Sequence, residues 1–312
     1  MSSILITGGA GFIGVHLSNL FLSSGLRVAI VDNFSFGKRS SLQEENPLLS
    51  VHPISILDEP GLNEVISAIK PDLVYHLAAI HHIPTCEQDP RSALKTNIEG
   101  TNNLLEICKT HKVKRVIFAS SGAIYDTIDG ALNEGSTPVV PKDIYGITKS
   151  CGEELVKLYA ERGAFEALSC RLFNAIGSGE TNAHLVPEIL AQLKSGQSKL
   201  TLGNLNTFRG YIHVQDIAEA LFRLSELKIP GKYRVLNIGN ETEHNVMDLV
   251  NFISDISGRK IEVEQDPVKV RQHDRLHQKA DISRLKKDLG WAPSRTIKEA
   301  IKDAYEETFG HD

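Results

Sequence analysis

Short runs of branched and aromatic apolar residues alternate, through the first two-thirds of the chain, with longer stretches in which apolar positions recur every three or four residues. The short runs fall at 4–7, 27–32, 51–56, 72–77, 115–120 and 167–173, and their composition predicts strands. The longer stretches predict helices, notably over 12–24, 60–70, 91–111 and 145–162. Alternation of this kind predicts a parallel sheet with helices on both faces. Crossovers between parallel strands are nearly always right-handed, which makes the sheet doubly wound.

After Asn174 the pattern breaks, and the glycine-rich stretch from Gly177 to Ala183 reads as a loop. A helix over 184–195, a short strand over 199–202 and a helix over 214–227 follow. A run at 234–238 is placed to add a last strand to the main sheet. The tail holds a helix from Asn245 to about Ser257, a strand over 261–265 and two more helical stretches. The expected organisation is a larger domain of 1–174 plus 210–239. A smaller C-terminal α/β lobe takes 175–209 plus 240–312.

Composition excludes several classes without choosing a function. The chain has 312 residues, enough to bury a sizeable core, with 41% hydrophobic and 23% charged residues. Its net charge of −5 is dispersed, and no basic run points to nucleic acid. The apolar runs are far shorter than the ~20 residues of a membrane span. The strand-like run Ile4-Leu5-Ile6 begins almost at once, so no secretory leader is expected. Cys86, Cys108, Cys151 and Cys170 are scattered and form no CxxC, which fits a reducing cytoplasm rather than a disulfide framework. His81, His82 and Cys86 lack a further ligand at matching spacing, so they read as a loop beside a cleft and no metal is expected.

The chemistry begins at Thr7-Gly-Gly-Ala-Gly-Phe-Ile-Gly14. Gly8, Gly11 and Gly14 stand after a strand and before a helix. Glycines there allow the tight turn and let backbone N–H groups approach a pyrophosphate, which the helix N-terminus also favours. Phe12 and Ile13 belong to the same cradle. Asp32 ends the next strand, before Asn33, and a carboxylate at that place accepts from adenosine ribose hydroxyls and repels a 2′-phosphate. The pattern therefore favours NAD over NADP. Asp58 ends another strand and is placed to meet the adenine. Leu77, Ala78 and Ala79 end the next with small residues that permit close approach of a cofactor.

Tyr145 and Lys149 lie four residues apart, on one face of the helix predicted over 145–162. A free phenol is too weakly acidic to serve as a base at neutral pH. An ammonium about 6 Å away, at an effective dielectric near 20, would stabilise phenolate by roughly 3 kcal/mol. That predicts a Tyr145 pKa lowered by about two units. Ser121 ends the strand over 115–120, at the carboxyl edge where ligands of such sheets bind, and offers a hydroxyl to relay a proton.

Taken together, these residues resemble the extended short-chain dehydrogenase/reductase superfamily, and within it the NAD-dependent nucleotide-sugar epimerases of the UDP-galactose (UDP-glucose) 4-epimerase type. The resemblance runs through the glycine loop, Asp58, His76-Leu77-Ala78-Ala79, Asn97, Ser120-Ser121, Tyr145-Gly-Ile-Thr-Lys149, Arg171-Leu-Phe-Asn174 and Arg209-Gly-Tyr-Ile-His-Val-Gln-Asp216. It implies a doubly wound Rossmann sheet with a smaller C-terminal substrate lobe. It also implies a catalytic trio of Ser121, Tyr145 and Lys149, with Asn97 structural and on the cofactor side and Phe173 near the nicotinamide. Asn174, His184, Leu185, Arg209, Arg271 and Asp274 would bind the substrate, the two arginines on its diphosphate and Asp274 on the nucleoside ribose. A rigid fork of donors suits that dianion. Relatives often dimerise through two helices of the first domain, here over 91–111 and 145–162, so a homodimer is expected.

The chain departs from that pattern at Gln272-His273-Asp274, at Asp126 after Tyr125, at His184 and at Gln278. Gln278 stands where some 4-epimerases carry a bulky tyrosine, and a smaller residue there would admit an N-acetyl group. The related dehydratases carry an acidic pair after the catalytic hydroxyl, and the related decarboxylases a glutamate. Here Gly122 and Ala123 stand there, and the 177–183 loop offers no cation to a carboxylated sugar. The reading is C4 epimerisation of a UDP-hexose, glucose/galactose or the N-acetyl pair, by transient oxidation. A 4-keto-sugar reductase or dehydratase is the alternative enzyme. A non-catalytic dinucleotide sensor is the alternative from another class, though it would have no need of a proton relay.

Overall fold

A computed structural model describes residues 3–128, 130–180, 182–270 and 276–310. The strands of its main sheet are β1 (Ser3–Thr7), β2 (Arg27–Val31), β3 (Leu49–His52), β4 (Leu73–His76), β5 (Arg115–Ser121), β6 (Glu166–Leu172) and β7 (Tyr233–Ile238). They form a seven-stranded sheet in the order β7-β6-β5-β4-β1-β2-β3, every pair parallel. The order reverses between β1 and β4, which opens a crevice at their carboxyl ends. This is the doubly wound Rossmann arrangement.

Period-two alternation sorts the strand residues onto the two faces. Ile4, Ile6, Val28, Ile30, Tyr75 and Ile117 pack into one cluster with Leu17, Phe21 and Leu221. Those last three lie on helices α1 (Phe12–Ser23) and, at the other end of the contact, Val214–Leu224. Leu5, Ala29, Val31, Val74, Val116 and Phe118 point the other way and meet Leu62, Ile66, Leu104, Leu105 and Val156. Helices α2 (Glu59–Ile69), α3 (Gly100–Thr110) and α4 (Ile144–Glu161) carry that second layer. Apolar surface is thus removed from water on both faces, as continuous apolar strands require.

A smaller C-terminal lobe has its own core. Val186, Ile189 and Leu193 of helix α5 (Leu185–Lys194) pack with Leu249 and Ile253 of helix α6 (Val246–Ser257) and with Ile301 and Tyr305 of helix α7 (Ile297–Phe309). Strands Lys199–Leu202 and Glu262–Gln265 pair beside them in parallel.

Two expectations are corrected here. The helix expected over 91–111 is broken into Pro90–Leu94, a π-helical turn over Lys95–Glu99 and α3, and an unexpected short helix, Ile83–Gln88, precedes it. Asn97 causes the break: its side chain is taken up by the loop after β4, where Ile80 N–H donates to it and it donates to Ile80 O, each at 2.8 Å. The strand expected over 51–56 lies earlier, at Leu49–His52, because Pro53 can donate nothing to a continued ladder. The 199–202 and 234–238 strands fall where the pattern puts them, β7 beginning one residue earlier.

Candidate active site

At the carboxyl edge of the sheet a single cavity of about 1080 Å³ runs from the glycine loop to the C-terminal lobe. Its floor at one end is the turn between β1 and α1. Gly8 has φ +71° there, and a Cβ on it would fall 2.6 Å from the backbone nitrogen of Ala78. A Cβ on Gly14 would fall 2.5 Å from Gly8 O. Only glycine allows strand, turn and helix to approach so closely. Gly11 is the N-cap of α1 and brings no side chain to its first amides, which leaves those donors to a ligand.

The Asp32 side chain, 8% exposed, accepts from Ala10 N–H at 3.0 Å and from Phe34 N–H at 2.8 Å. Burial raises its pKa and those two donors oppose the rise. The acid is therefore fixed at the rim of the cradle. Glycine turn, uncapped helix start and anchored carboxylate together fit a dinucleotide. Asn33, Leu77, Ala78, Ala79 and Phe173 line the same cavity as Phe12 and Ile13. Asp58 does not line it: its carboxylate accepts from Gly61 N–H at 3.1 Å and caps α2, and Ile56 and Ser55 stand at the wall instead. Asn97 also lies behind the wall, donating to Thr148 Oγ1 at 2.9 Å beneath the first turns of α4.

At the middle of the cavity β5 and α4 bring Ser121, Tyr145 and Lys149 together. The Ser121 hydroxyl stands close enough to the Tyr145 phenol to favour its ionised form, and accepts from Ala123 N–H at 3.1 Å. Lys149 is 4% exposed; its Nζ donates to Ala119 O at 2.7 Å and sits 5.9 Å from the Tyr145 ring centroid. The spacing agrees with that expected from the helix, but the electrostatic outcome is different. Burial holds the Tyr145 phenol well above its ordinary value, with the Ser121 hydroxyl opposing it. Burial also pushes Lys149 down to about 7. Desolvation disfavours the charged form of each, so the lowering expected for the phenol is not what the protein alone produces.

A buried network keeps this strand end rigid. Ser120 donates to Glu153 at 2.7 Å, and Arg171 from β6 pairs with the same carboxylate at 2.5 Å. His76 bridges Thr7 Oγ1 at 2.7 Å and Thr101 Oγ1 at 2.8 Å, and burial holds its pKa down to about 3, so the ring is neutral.

Beyond Tyr145 the wall runs on from the end of β6 into the C-terminal lobe. Asn174, His184, Leu185, Arg209 and Gln278 all line it. Arg209 is 8% exposed and donates to Phe208 O at 2.8 Å. Arg271 and Asp274 lie outside the described residues. Sequence reasoning passed over three groups at this end: His81 and His82, which it set aside as loop residues, and Glu180. Their available signal was position, in the loop that follows β4 and directly after the second glycine of the 177–183 loop.

Comparison with known proteins bears on this geometry. The model of the NAD dependent epimerase/dehydratase family matches residues 4–239. The chain belongs to that family, as an NAD-dependent enzyme of the nucleotide-sugar epimerase or dehydratase type. It is similar to the UDP-N-acetyl-alpha-D-glucosaminuronate decarboxylase of Bacillus cytotoxicus, at 30% identity over 96% of this chain and 95% of that one. Among solved structures it resembles the UDP-glucose 4-epimerase of Thermotoga maritima with UDP-glucose, with TM-score 0.88, 29% identity and 98% of each chain covered. It also resembles the UDP-glucose 4-epimerase of Thermus thermophilus in complex with NAD, with TM-score 0.89, 27% identity and 99% of each chain covered.

Proposed function

We propose that this protein epimerises a UDP-hexose at C4, glucose/galactose or the N-acetylated pair. The glycine turn and Asp32 would hold the adenosine and pyrophosphate of NAD, and Phe173 would lie against its nicotinamide end. Arg209, with Arg271, would hold the diphosphate of the substrate, and Asn174, His184 and Leu185 the rest of it. Asp274 would take the nucleoside ribose. The bound NAD supplies the acceptance and return of a hydride at the sugar carbon.

The chain's own part is the proton. Tyr145 would take it from the O4 hydroxyl and give it back, with the neighbouring Ser121 hydroxyl aligning the two oxygens. Loss of a proton near pH 7 from the buried pair leaves one proton shared between phenol and amine. The form with ionised phenol and protonated lysine is the competent base. Burial favours a neutral pair, so this charge separation waits for groups that solvate it in the closed site.

The observation that carries the choice of reaction is the wall beside Ser121. Gly122 and Ala123 bring no acid there, and the first carbon of a side chain at Gly122 would lie 3.3 Å from the Phe173 ring. Elimination or decarboxylation would need an acid–base group in that space. Gln278 on the opposite wall supports room for an N-acetyl group. The purified protein, given UDP-glucose, should form UDP-galactose without added NADH. Net consumption of reduced cofactor would point instead to a ketoreductase.

Assembly is part of the same proposal. Ile147, Cys151 and Leu158 are exposed along one stripe of α4, and Leu94 is exposed on the neighbouring Pro90–Leu94 helix. A second copy of the chain would cover that stripe by pairing α4 and α3 with their equivalents. We place the protein in the cytoplasm, consistent with its unpaired cysteines; among the described residues no helix is long and apolar enough to cross a membrane.

A further inference from the structure

Between the reacting pair and the 177–184 loop the cavity wall changes character. His81, Lys149 and Glu180 all line this cavity, and His81 feels the charge of both of the others. The Nε2 of His81 accepts from the Asn182 amide at 2.9 Å and so carries no proton. The ring is therefore neutral, and burial holds its pKa down to about 4. His184 packs on His81 and His82, with ring centroids 5.9 Å and 5.6 Å apart, and places its Nδ1 3.2 Å from Glu180 Oε2.

The Glu180 side chain is only 7% exposed, yet among the described residues its other oxygen has a single long contact, 3.4 Å to Asn182 N–H. An acceptor so enclosed needs a further donor. The described lysines of this cavity are committed elsewhere: Lys142 pairs with Asp126 at 3.0 Å, Lys269 with Glu188 at 2.5 Å, and Lys149 donates to Ala119 O. A sugar carboxylate arriving here would meet the Glu180 carboxylate and the uncharged His81 ring. A sugar hydroxyl would meet an acceptor that lacks a good donor.

We infer that Glu180 is the residue that selects the charge of the sugar: it accepts from hexose hydroxyls and repels a uronate, so the site takes uncharged hexoses. The inference rests on the epimerase reading and narrows its substrate. The similar decarboxylase is named for a uronate, so the two kinds of sugar are the relevant alternatives.

The test uses NAD-loaded protein with UDP-glucose and UDP-glucuronate, following binding by calorimetry and turnover by product analysis. Wild type should prefer the hexose by about a hundredfold, as close like charges imply. Glu180→Gln should narrow that ratio by at least about tenfold, chiefly by tightening the uronate, and Glu180→Asp should keep it. NAD retention and melting temperature report on folding. If Glu180→Gln does not fold, the wild-type ratio decides alone. Equal affinity of wild type for both sugars, or an unchanged ratio in folded Glu180→Gln, overturns the inference while leaving the epimerase reading intact. Failure to bind any UDP-, dTDP- or GDP-hexose overturns both.

Discussion

Lys149 and Tyr145 face a conflict that the sequence could not display. Spacing alone says the ammonium assists the phenol; the cavity says that both are taken out of water. Because Lys149 holds its proton less tightly folded than unfolded, unfolding takes up a proton between about 7 and the ordinary 10.5. Stability from this group is therefore lowest below about 7 and grows as pH rises through that window. Lys149→Met should accordingly stabilise the apoprotein most at acid pH, the gain shrinking by about 1.4 kcal/mol for each unit climbed inside the window, as measured by denaturant unfolding. In turnover, kcat/KM for the hexose should rise through about pH 7, and Lys149→Met should move that limb upward toward the phenol's own raised value. Asp32 makes a separate prediction. Asp32→Asn removes the charge at the cradle rim and keeps an acceptor for one of the two N–H groups, Ala10 or Phe34, that now use separate carboxylate oxygens, so the preference for NAD over NADP should fall by about tenfold or more in direct binding. Asp32 was legible because it ends a strand after a glycine loop. Asp58 looked the same in sequence, but its strand ends at His52 and the acid caps a helix, the other common use of an aspartate before a proline-containing helix start.

At the scale of elements, sequence pattern located most strands and helices because each buries a whole face or run. It missed what depends on a single side chain. The π-helical turn over Lys95–Glu99 exists because Asn97 serves the loop after β4 and Thr148 of α4 at once, and no hydrophobic period encodes that. The short helix Ile83–Gln88 was hidden by its proline and by the histidines before it. The pairing of Glu153 with Arg171 and Ser120 was equally silent, since it joins α4 to β6 and β5 across the fold. This pair is buried at both ends, so removing one partner strands the other. Arg171→Leu should cost about 3–5 kcal/mol in denaturant unfolding, and replacement of both partners by apolar residues much less. Gly14→Ala should disrupt the cradle more than its size suggests, because the added carbon meets the backbone of Gly8 and Gly9, within 2.5–2.8 Å.

For the whole molecule, two lobes meet over one cavity, and the division at 1–174 plus 210–239 against 175–209 plus 240–312 is the arrangement we propose for cofactor and substrate. The break in strand–helix alternation after Asn174 is what suggests that boundary; the imidazole-lined end of the cavity has no such sign in the sequence, since His81 and Asn182 meet only in the folded chain. If α4 carries a contact between copies, Ile147→Asp should convert a dimer to a monomer in sedimentation at about micromolar concentration while leaving the melting transition cooperative. The central claim concerns Tyr145 and is met most directly by product analysis of UDP-glucose incubated with the NAD-loaded protein and with Tyr145→Phe. The account predicts UDP-galactose from wild type with no net change in reduced nicotinamide. It predicts a loss of about a hundredfold or more in the variant, whose NAD remains bound. Equal turnover by Tyr145→Phe, or a wild type that consumes reduced cofactor for each product formed, would contradict it.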